Sequence, residues 1–211
     1  MSKDELSQNK SSSSLGDDWE IDTNILASEV NTLSVNEEER ISRWTRLLGV
    51  TNTPNPLDNW DQLYNLNNQC ALRNDCRKLA NVLKNTRSVP ELESFLTLYC
   101  KNRGTDYIKN IGWVKILENI MLLNIPQTHE FNVFFAFTTK YIPKDLRPQS
   151  ELYNLFHLLL QYHDPQLSNY LDSLHCYPAL YSKSWFGTLF SSSLSTEACL
   201  ELWTLYIEQV S

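Results

Sequence analysis

Glycine and proline are scarce in this chain, which contains 5 glycines and 8 prolines among 211 residues. Sheet-based folds need many such residues in the turns between short strands, and runs that alternate apolar and polar residues are also few. Apolar residues instead recur at helical intervals along most of the sequence. We therefore predict an all-α fold, and the 42% hydrophobic content suffices for one domain with a buried core.

Long apolar runs and clustered cations are also lacking. No segment is long enough to span a bilayer and the N-terminus has no basic-then-apolar leader, so we expect a protein on the cytosolic side of membranes. The formal charge is −7, and residues 1–60 hold 11 acidic and 5 basic side chains, a balance of −6 that leaves −1 for the rest. Because nucleic-acid binding needs a stripe of Lys and Arg, the sequence favours proteins or small molecules as ligands.

The sequence contains no recognisable catalytic motif or metal-binding pattern. The cysteines lack the short paired spacing of zinc or redox sites, so we predict reduced thiols in the core at Cys70, Cys76, Cys100, Cys176 and Cys199. His157 and His163, near Asp164, are six residues apart and fall on different helix faces, which argues against a metal site. A glycine-rich phosphate loop, a serine elbow and paired carboxylates are all missing, so we predict no cofactor, no metal and no self-contained enzyme.

The N-terminal segment differs in composition from the rest of the chain. Residues 1–18 combine a serine run with charge, so we predict a disordered tail there and a helical domain over 19–211. A helix is predicted at 22–33, and Ser34 followed by glutamates predicts the capped start of another helix that ends at Gly49. After a proline-containing loop at 51–59, further helices are predicted at 69–85, 90–102, 111–123, 130–139, 150–161, 166–173, 178–190 and 195–209.

Aromatic residues recur at helical spacing in the later helices. We predict that these side chains form core rather than a ligand platform. They are Phe131, Phe134, Phe135, Phe137, Tyr153, Phe156, Trp185, Phe186, Phe190, Trp203 and Tyr206.

Three short motifs follow one another in a recognisable order. They are RWTRLLG at residues 43–49, LRNDCRK at residues 72–78, and Tyr-Ile-Lys at residues 107–109. This order resembles the TBC domain family of Rab GTPase-activating proteins, whose motifs are R-x-x-W-x-x-L-L-G, I-x-x-D-x-x-R and Y-x-Q. The resemblance covers about residues 19–209 and implies a multi-helix, all-α TBC fold. Stretches at 135–143, 158–167 and 185–190 are similar to one subgroup of the family, the TBC domain family member 23 proteins.

The resemblance also implies a site that has lost its catalytic groups. Active members of the family supply an arginine finger and a glutamine finger to the Rab GTPase in trans. At the corresponding positions Asp75 and Tyr107 are kept, whereas Lys78 stands in place of the arginine and Lys109 in place of the glutamine. A lysine ammonium lacks the bidentate fork of arginine, and it cannot accept a hydrogen bond as glutamine does. Arg77 has the fork, but it lies one residue before the finger position held by Lys78. One residue along a helix corresponds to a rotation of about 100°, which turns the Arg77 side chain away from the site.

Several roles remain open for these cations. Arg77 could form a structural pair with Asp75, and Lys78 and Lys109 could bind an acidic peptide or helix in the former catalytic groove. The subgroup resemblance implies an inactive adaptor in endosome-to-Golgi vesicle tethering that binds golgin tethers, located peripherally at the trans-Golgi network and on vesicles. The alternatives are an active Rab GTPase-activating protein that uses Lys78 or Arg77, and a Rab-GTP binder without hydrolysis.

The resemblance leads to one further expectation, about apolar residues near the end of the chain. A complete TBC domain continues through more helices than residues 19–211 can hold, so the resemblance implies that the C-terminal helices are lacking. On that basis we expect Trp203, Leu205 and Ile207 to expose apolar surface.

Overall fold

The computed structural model describes residues 37–84, 86–109, 112–123 and 125–209, all within the unit that begins at Glu37. Within this part, nine α-helices and one 3-10 turn are present and no β-strand occurs, so the all-α prediction is confirmed. The α-helices are α1 (Glu37–Leu47), α2 (Gln69–Val82), α3 (Val89–Asn102), α4 (Trp113–Leu122), α5 (Gln127–Tyr141), α6 (Glu151–His163), α7 (Pro165–Ser173), α8 (Pro178–Thr188) and α9 (Thr196–Gln209). The predicted tail at 1–18, the predicted helix at 22–33 and the cap at Ser34 lie outside the described residues.

Two helix ends follow directly from their local sequence. Helix α1 is terminated by Gly49, whose φ of +71° favours glycine, and the N–H of Val50 donates to the carbonyl of Thr45 at 2.9 Å. Helix α3 begins with a capping box, in which the Ser88 hydroxyl accepts from the N–H of Glu91 and the Glu91 carboxylate accepts from the N–H of Ser88. The predicted helix end at Gly49 and the predicted helix entry around Pro90 are both confirmed.

The core is a cluster of aromatic side chains shared by helices that are far apart in sequence. Trp44 of α1, Phe137 of α5 and Trp203 of α9 pack together, with ring centroids 6.1 Å apart for Trp44 and Phe137 and 4.9 Å apart for Phe137 and Trp203. The indole N–H of Trp203 donates to the carbonyl of Leu189 at 2.7 Å. The predicted aromatic stripes are all buried or half-buried, as expected for core residues.

Two expectations about burial were wrong. Trp203 and Ile207 are fully buried, because α9 packs against α1 and α4, and only Leu205 is exposed among the three residues named for this helix. Cys70 is exposed and Cys176 is half-buried, so only Cys76, Cys100 and Cys199 are buried thiols. Periodicity identified the apolar face of α9 but not the partner helices that cover it.

Helix α8 lies close to the start of α4. Gly112 precedes α4 with a φ of +104°, and a Cβ placed on it would lie 2.6 Å from Cγ2 of Thr188 and 2.8 Å from the carbonyl oxygen of Gly187. Only glycine allows this approach, which places α8 beside the loop that carries Tyr107. No helix among the described residues is long and apolar enough to cross a membrane.

Candidate functional site

Asp75 is the centre of a small hydrogen-bonded network on α2. Its side chain is buried with 6% of its surface exposed, and Oδ1 accepts a hydrogen bond from Nζ of Lys78 at 3.0 Å. The two residues are three apart on the helix and therefore lie on the same face. The side chain of Lys78 is 70% exposed, so its ammonium lies at the surface above a buried carboxylate.

Tyr107 binds the other oxygen of the same carboxylate. The tyrosine is 1% exposed and its hydroxyl donates to Oδ2 of Asp75 at 2.8 Å. Burial raises the pKa of Tyr107 well above its ordinary value, and the hydrogen bond to Asp75 raises it further. Tyr107 is therefore a permanent donor, and it ties the loop after α3 to α2.

Arg77 points away from this network. Its guanidinium donates to Oδ1 of Asn74 at 2.7 Å on the exposed side of α2. It does not belong to the residues that line the cavity beside Lys78. The helical rotation between positions 77 and 78 accounts for this difference.

Lys78 and Lys109 open onto two neighbouring cavities rather than one. The first, of about 430 Å³, is lined by Asp75, Lys78 and Tyr107 together with residues of α4 and α8. The second, of about 850 Å³, is lined by Lys109 and by residues of α8 and the loop before α6. Both cavities are lined by Ser184 and Thr188 of α8, so they adjoin at this helix.

Comparison with known proteins identifies the family. A model of the Rab-GTPase-TBC domain matches residues 37–211, which is most of the chain. The chain belongs to this family. A similar protein in Dictyostelium discoideum, named TBC domain-containing protein kinase-like protein, is 38% identical over 63 residues. That match covers 30% of this chain and 6% of the relative, so the chain spans a small part of the relative's length.

Membership of the family gives the network its functional context. TBC domains bind Rab GTPases, and the family is one of GTPase-activating proteins. Within this TBC domain, the structure brings three of the four predicted finger-motif residues together, namely Asp75, Lys78 and Tyr107. Lys109 lines the second cavity.

The second cavity of the TBC domain also contains residues that sequence reasoning missed. Lys144 and Arg147 come from the loop after α5, and Lys183 comes from α8. No short motif links these positions to Lys109, because they are brought together only by the packing of α8. Pro143 and Pro148 flank Lys144 and Arg147 in the sequence, but prolines do not indicate a basic cavity.

The buried thiols of the TBC domain are poor nucleophiles. Burial raises the pKa of Cys76 and of Cys100 to about 12, so both remain protonated near neutral pH. Among the described residues, no group of three or more His, Cys, Asp or Glu side chains could hold a metal ion.

Replacing Tyr107 by phenylalanine tests the network. We expect the free energy of unfolding to fall by about 1–3 kcal/mol, because the buried Asp75 loses a donor and keeps only Lys78. Urea unfolding measures this change. The Tyr64→Phe variant is the control, since Tyr64 is only half-buried and its hydroxyl bonds to Ser94. An equal loss in both variants would contradict a specific role for the Tyr107 hydroxyl.

Proposed function

We propose that this TBC domain is a partner-binding adaptor that does not accelerate GTP hydrolysis. The observation that carries the proposal is the environment of Lys78, whose ammonium is already bonded to Asp75 of its own helix at 3.0 Å. An arginine finger stabilises the transferred phosphoryl group through a planar fork of donors, an effect worth about three to five orders of magnitude in rate. Lysine has no such fork, and moving its ammonium to a phosphate would leave Asp75 with Tyr107 alone.

The chemistry at position 109 supports the same proposal. The glutamine finger must orient a water molecule, which requires a donor and an acceptor in one neutral group. A lysine ammonium provides three donors and no acceptor. Neither replaced position therefore offers the group that the reaction requires at that point.

Arg77 is a weak substitute for the missing arginine. Its guanidinium lies on the exposed side of α2 and donates to Asn74. To reach the cavity beside Lys78, it would have to cross a rotation of about 100° around the helix axis. An active domain that uses Arg77 is therefore the less favoured alternative.

The proposed partners follow from the family and from the subgroup resemblance. Binding of a Rab GTPase in its GTP form without hydrolysis is consistent with membership of the TBC family. The resemblance to TBC domain family member 23 supports a finer proposal, that the domain binds golgin tethers in endosome-to-Golgi transport. A peripheral position at the trans-Golgi network and on vesicles belongs to that same proposal.

Single-turnover GTP hydrolysis across a panel of Rab GTPases tests the loss of activity. We expect the native chain to leave every intrinsic rate unchanged. The matched variant Lys78→Arg/Lys109→Gln restores both finger side chains, and we expect it to raise the rate for at least one Rab, by up to about a thousandfold. Stimulation by the native chain that disappears in Lys78→Ala or in Arg77→Ala would show that the domain is an enzyme.

Two binding measurements separate the partners. A preference for the GTP-loaded form of one Rab over its GDP-loaded form would support the Rab-binding role. Binding of a golgin N-terminal fragment at micromolar concentration would support the tethering role, and its absence would remove the golgin from the proposal.

A further inference from the structure

The cavity beside Lys109 has an unusual charge. It lies between α8 and the loop after α5, and its volume is about 850 Å³. Four of the described residues that line it are cations, namely Lys109, Lys144, Arg147 and Lys183, and one is a carboxylate, Asp145. Across all the described residues, 16 cationic and 18 acidic side chains give a net charge of −2, so this excess of positive charge is local.

The one carboxylate is already neutralised by its neighbour. Arg147 binds Asp145 through both oxygens, with Nε 2.9 Å from Oδ1 and one terminal nitrogen 2.9 Å from Oδ2. These bonds, together with the backbone N–H of Arg147, lower the pKa of Asp145 to about 2. The pair therefore keeps both of its charges and contributes no net charge to the cavity near neutral pH.

The three lysines have no such compensation. In the part of the chain that the structure describes, Lys109, Lys144 and Lys183 have no ion-pair or hydrogen-bond partner. By contrast, Lys78 is paired with Asp75 and Lys115 with Glu118. Three uncompensated ammonium groups around one concave surface attract an anionic ligand.

Apolar side chains form the rest of the wall. Leu180 is 72% exposed and Ile108 is half-exposed, and both line the cavity with Ala179 and Pro148. Free phosphate and headgroup sites are built from converging polar donors, whereas this surface alternates cations with aliphatic groups. A peptide that alternates carboxylates with apolar side chains matches both features.

We infer that this cavity binds an acidic segment of a partner protein, with its glutamates or aspartates at Lys109, Lys144 and Lys183 and its apolar side chains against Leu180 and Ile108. The biological use of this binding rests on the proposed adaptor role. The binding itself does not depend on whether GTP is hydrolysed. A domain that stimulated a Rab could still bind the peptide, and an inactive one could fail to bind it.

Fluorescence polarisation with the full chain tests the inference. The probe is a labelled peptide in which glutamates alternate with leucine and phenylalanine, and the reference peptide has glutamine at every glutamate. We expect the acidic probe to bind more tightly than its reference and to weaken as salt is raised. Lys144→Glu and Lys183→Glu should each weaken binding on the order of fivefold, because an exposed attraction is lost and replaced by repulsion.

The control is Lys84→Glu, which makes the same charge change at an exposed position outside the cavity. We expect it to bind the probe like the native chain. If Lys84→Glu weakens binding as much as Lys144→Glu and Lys183→Glu, or if the glutamine peptide binds equally well, the inference is wrong. A third outcome would also overturn the inference. The native chain would bind vesicles that contain a phosphatidylinositol phosphate, both cavity variants would not bind them, and the acidic peptide would not bind the native chain. The cavity would then be a headgroup site.

Discussion

Replacing Trp203 by alanine is expected to lower the free energy of unfolding by about 3–5 kcal/mol. The side chain is fully buried, contacts the rings of Phe137 and Trp44, and its indole N–H donates to the carbonyl of Leu189. Alanine would leave a cavity where α1, α5 and α9 meet. It would also leave a carbonyl without its donor at the end of α8. Urea unfolding followed by far-UV circular dichroism measures the loss.

Leu205→Ala provides a matched control on the same helix. Leu205 is two residues further along α9 and is 51% exposed, so its removal takes little apolar surface out of the core. We expect a change of less than about 1 kcal/mol, partly offset by the higher helix propensity of alanine. Equal losses in the two variants would mean that the C-terminal helix is not packed on the core as described.

Helical periodicity predicted most of this fold, and its errors have local causes. The helix predicted at 178–190 ends at Thr188, because Leu189 and Phe190 adopt φ values of +48° and +67°. Residues with left-handed backbone are usually glycine or asparagine, so no residue type at 189–190 indicates this turn. Helical spacing predicted Trp203 as core, and the separate expectation that it would be exposed was wrong because α1 and α5, which cover it, are distant in sequence.

Helical periodicity also fails to predict which face of α6 is buried. Leu155, Leu158, Leu159 and Tyr162 recur at the spacing of one helix face, a pattern that normally indicates a buried stripe. All four are nevertheless exposed, and the side that packs inward carries Tyr153 instead. Periodicity identifies an apolar face, but only the packing of neighbouring helices decides whether that face is covered.

Some residues of the candidate site could be predicted from the sequence, and others could not. Motif spacing predicted Asp75, Lys78 and Tyr107, because the first two are neighbours on one helix and the third belongs to the next motif. Their hydrogen bonds are present in the structure. Lys144 and Lys183 were missed, since nothing in their local sequence refers to Lys109. Their proximity arises from the position of α8, which depends on a close approach at Gly112.

The second large effect is expected at a buried ion pair outside the candidate site. Arg87, in the turn before α3, donates to the carboxylate of Glu130 at the start of α5, and the Glu130 side chain is nearly inaccessible. Arg87→Ala leaves this carboxylate buried without its cation. We expect the free energy of unfolding to fall by about 3–5 kcal/mol near neutral pH.

The loss should depend on pH in a definite direction. Burial raises the pKa of Glu130 above its ordinary value, and Arg87 opposes that rise. In Arg87→Ala the arginine no longer lowers the pKa of Glu130, so this pKa rises further in the folded state. A carboxyl group with a raised folded pKa stabilises the fold when protonated and loses that contribution as pH rises through the raised value. The difference between variant and native chain should therefore be smaller at about pH 4 than at about pH 8.

Arg147→Ala is the control, because it removes the arginine of an exposed pair. Both partners are solvent-accessible, so we expect little change in unfolding free energy near neutral pH. Its small loss should also shrink on acidification, but in a lower pH range than for Arg87→Ala. Arg147 lowers the pKa of Asp145 to about 2, and any stability from this pair is present above the unfolded pKa of aspartate and lost only at strongly acid pH. A loss in Arg87→Ala that grows at low pH would show that Glu130 is not buried as a carboxylate.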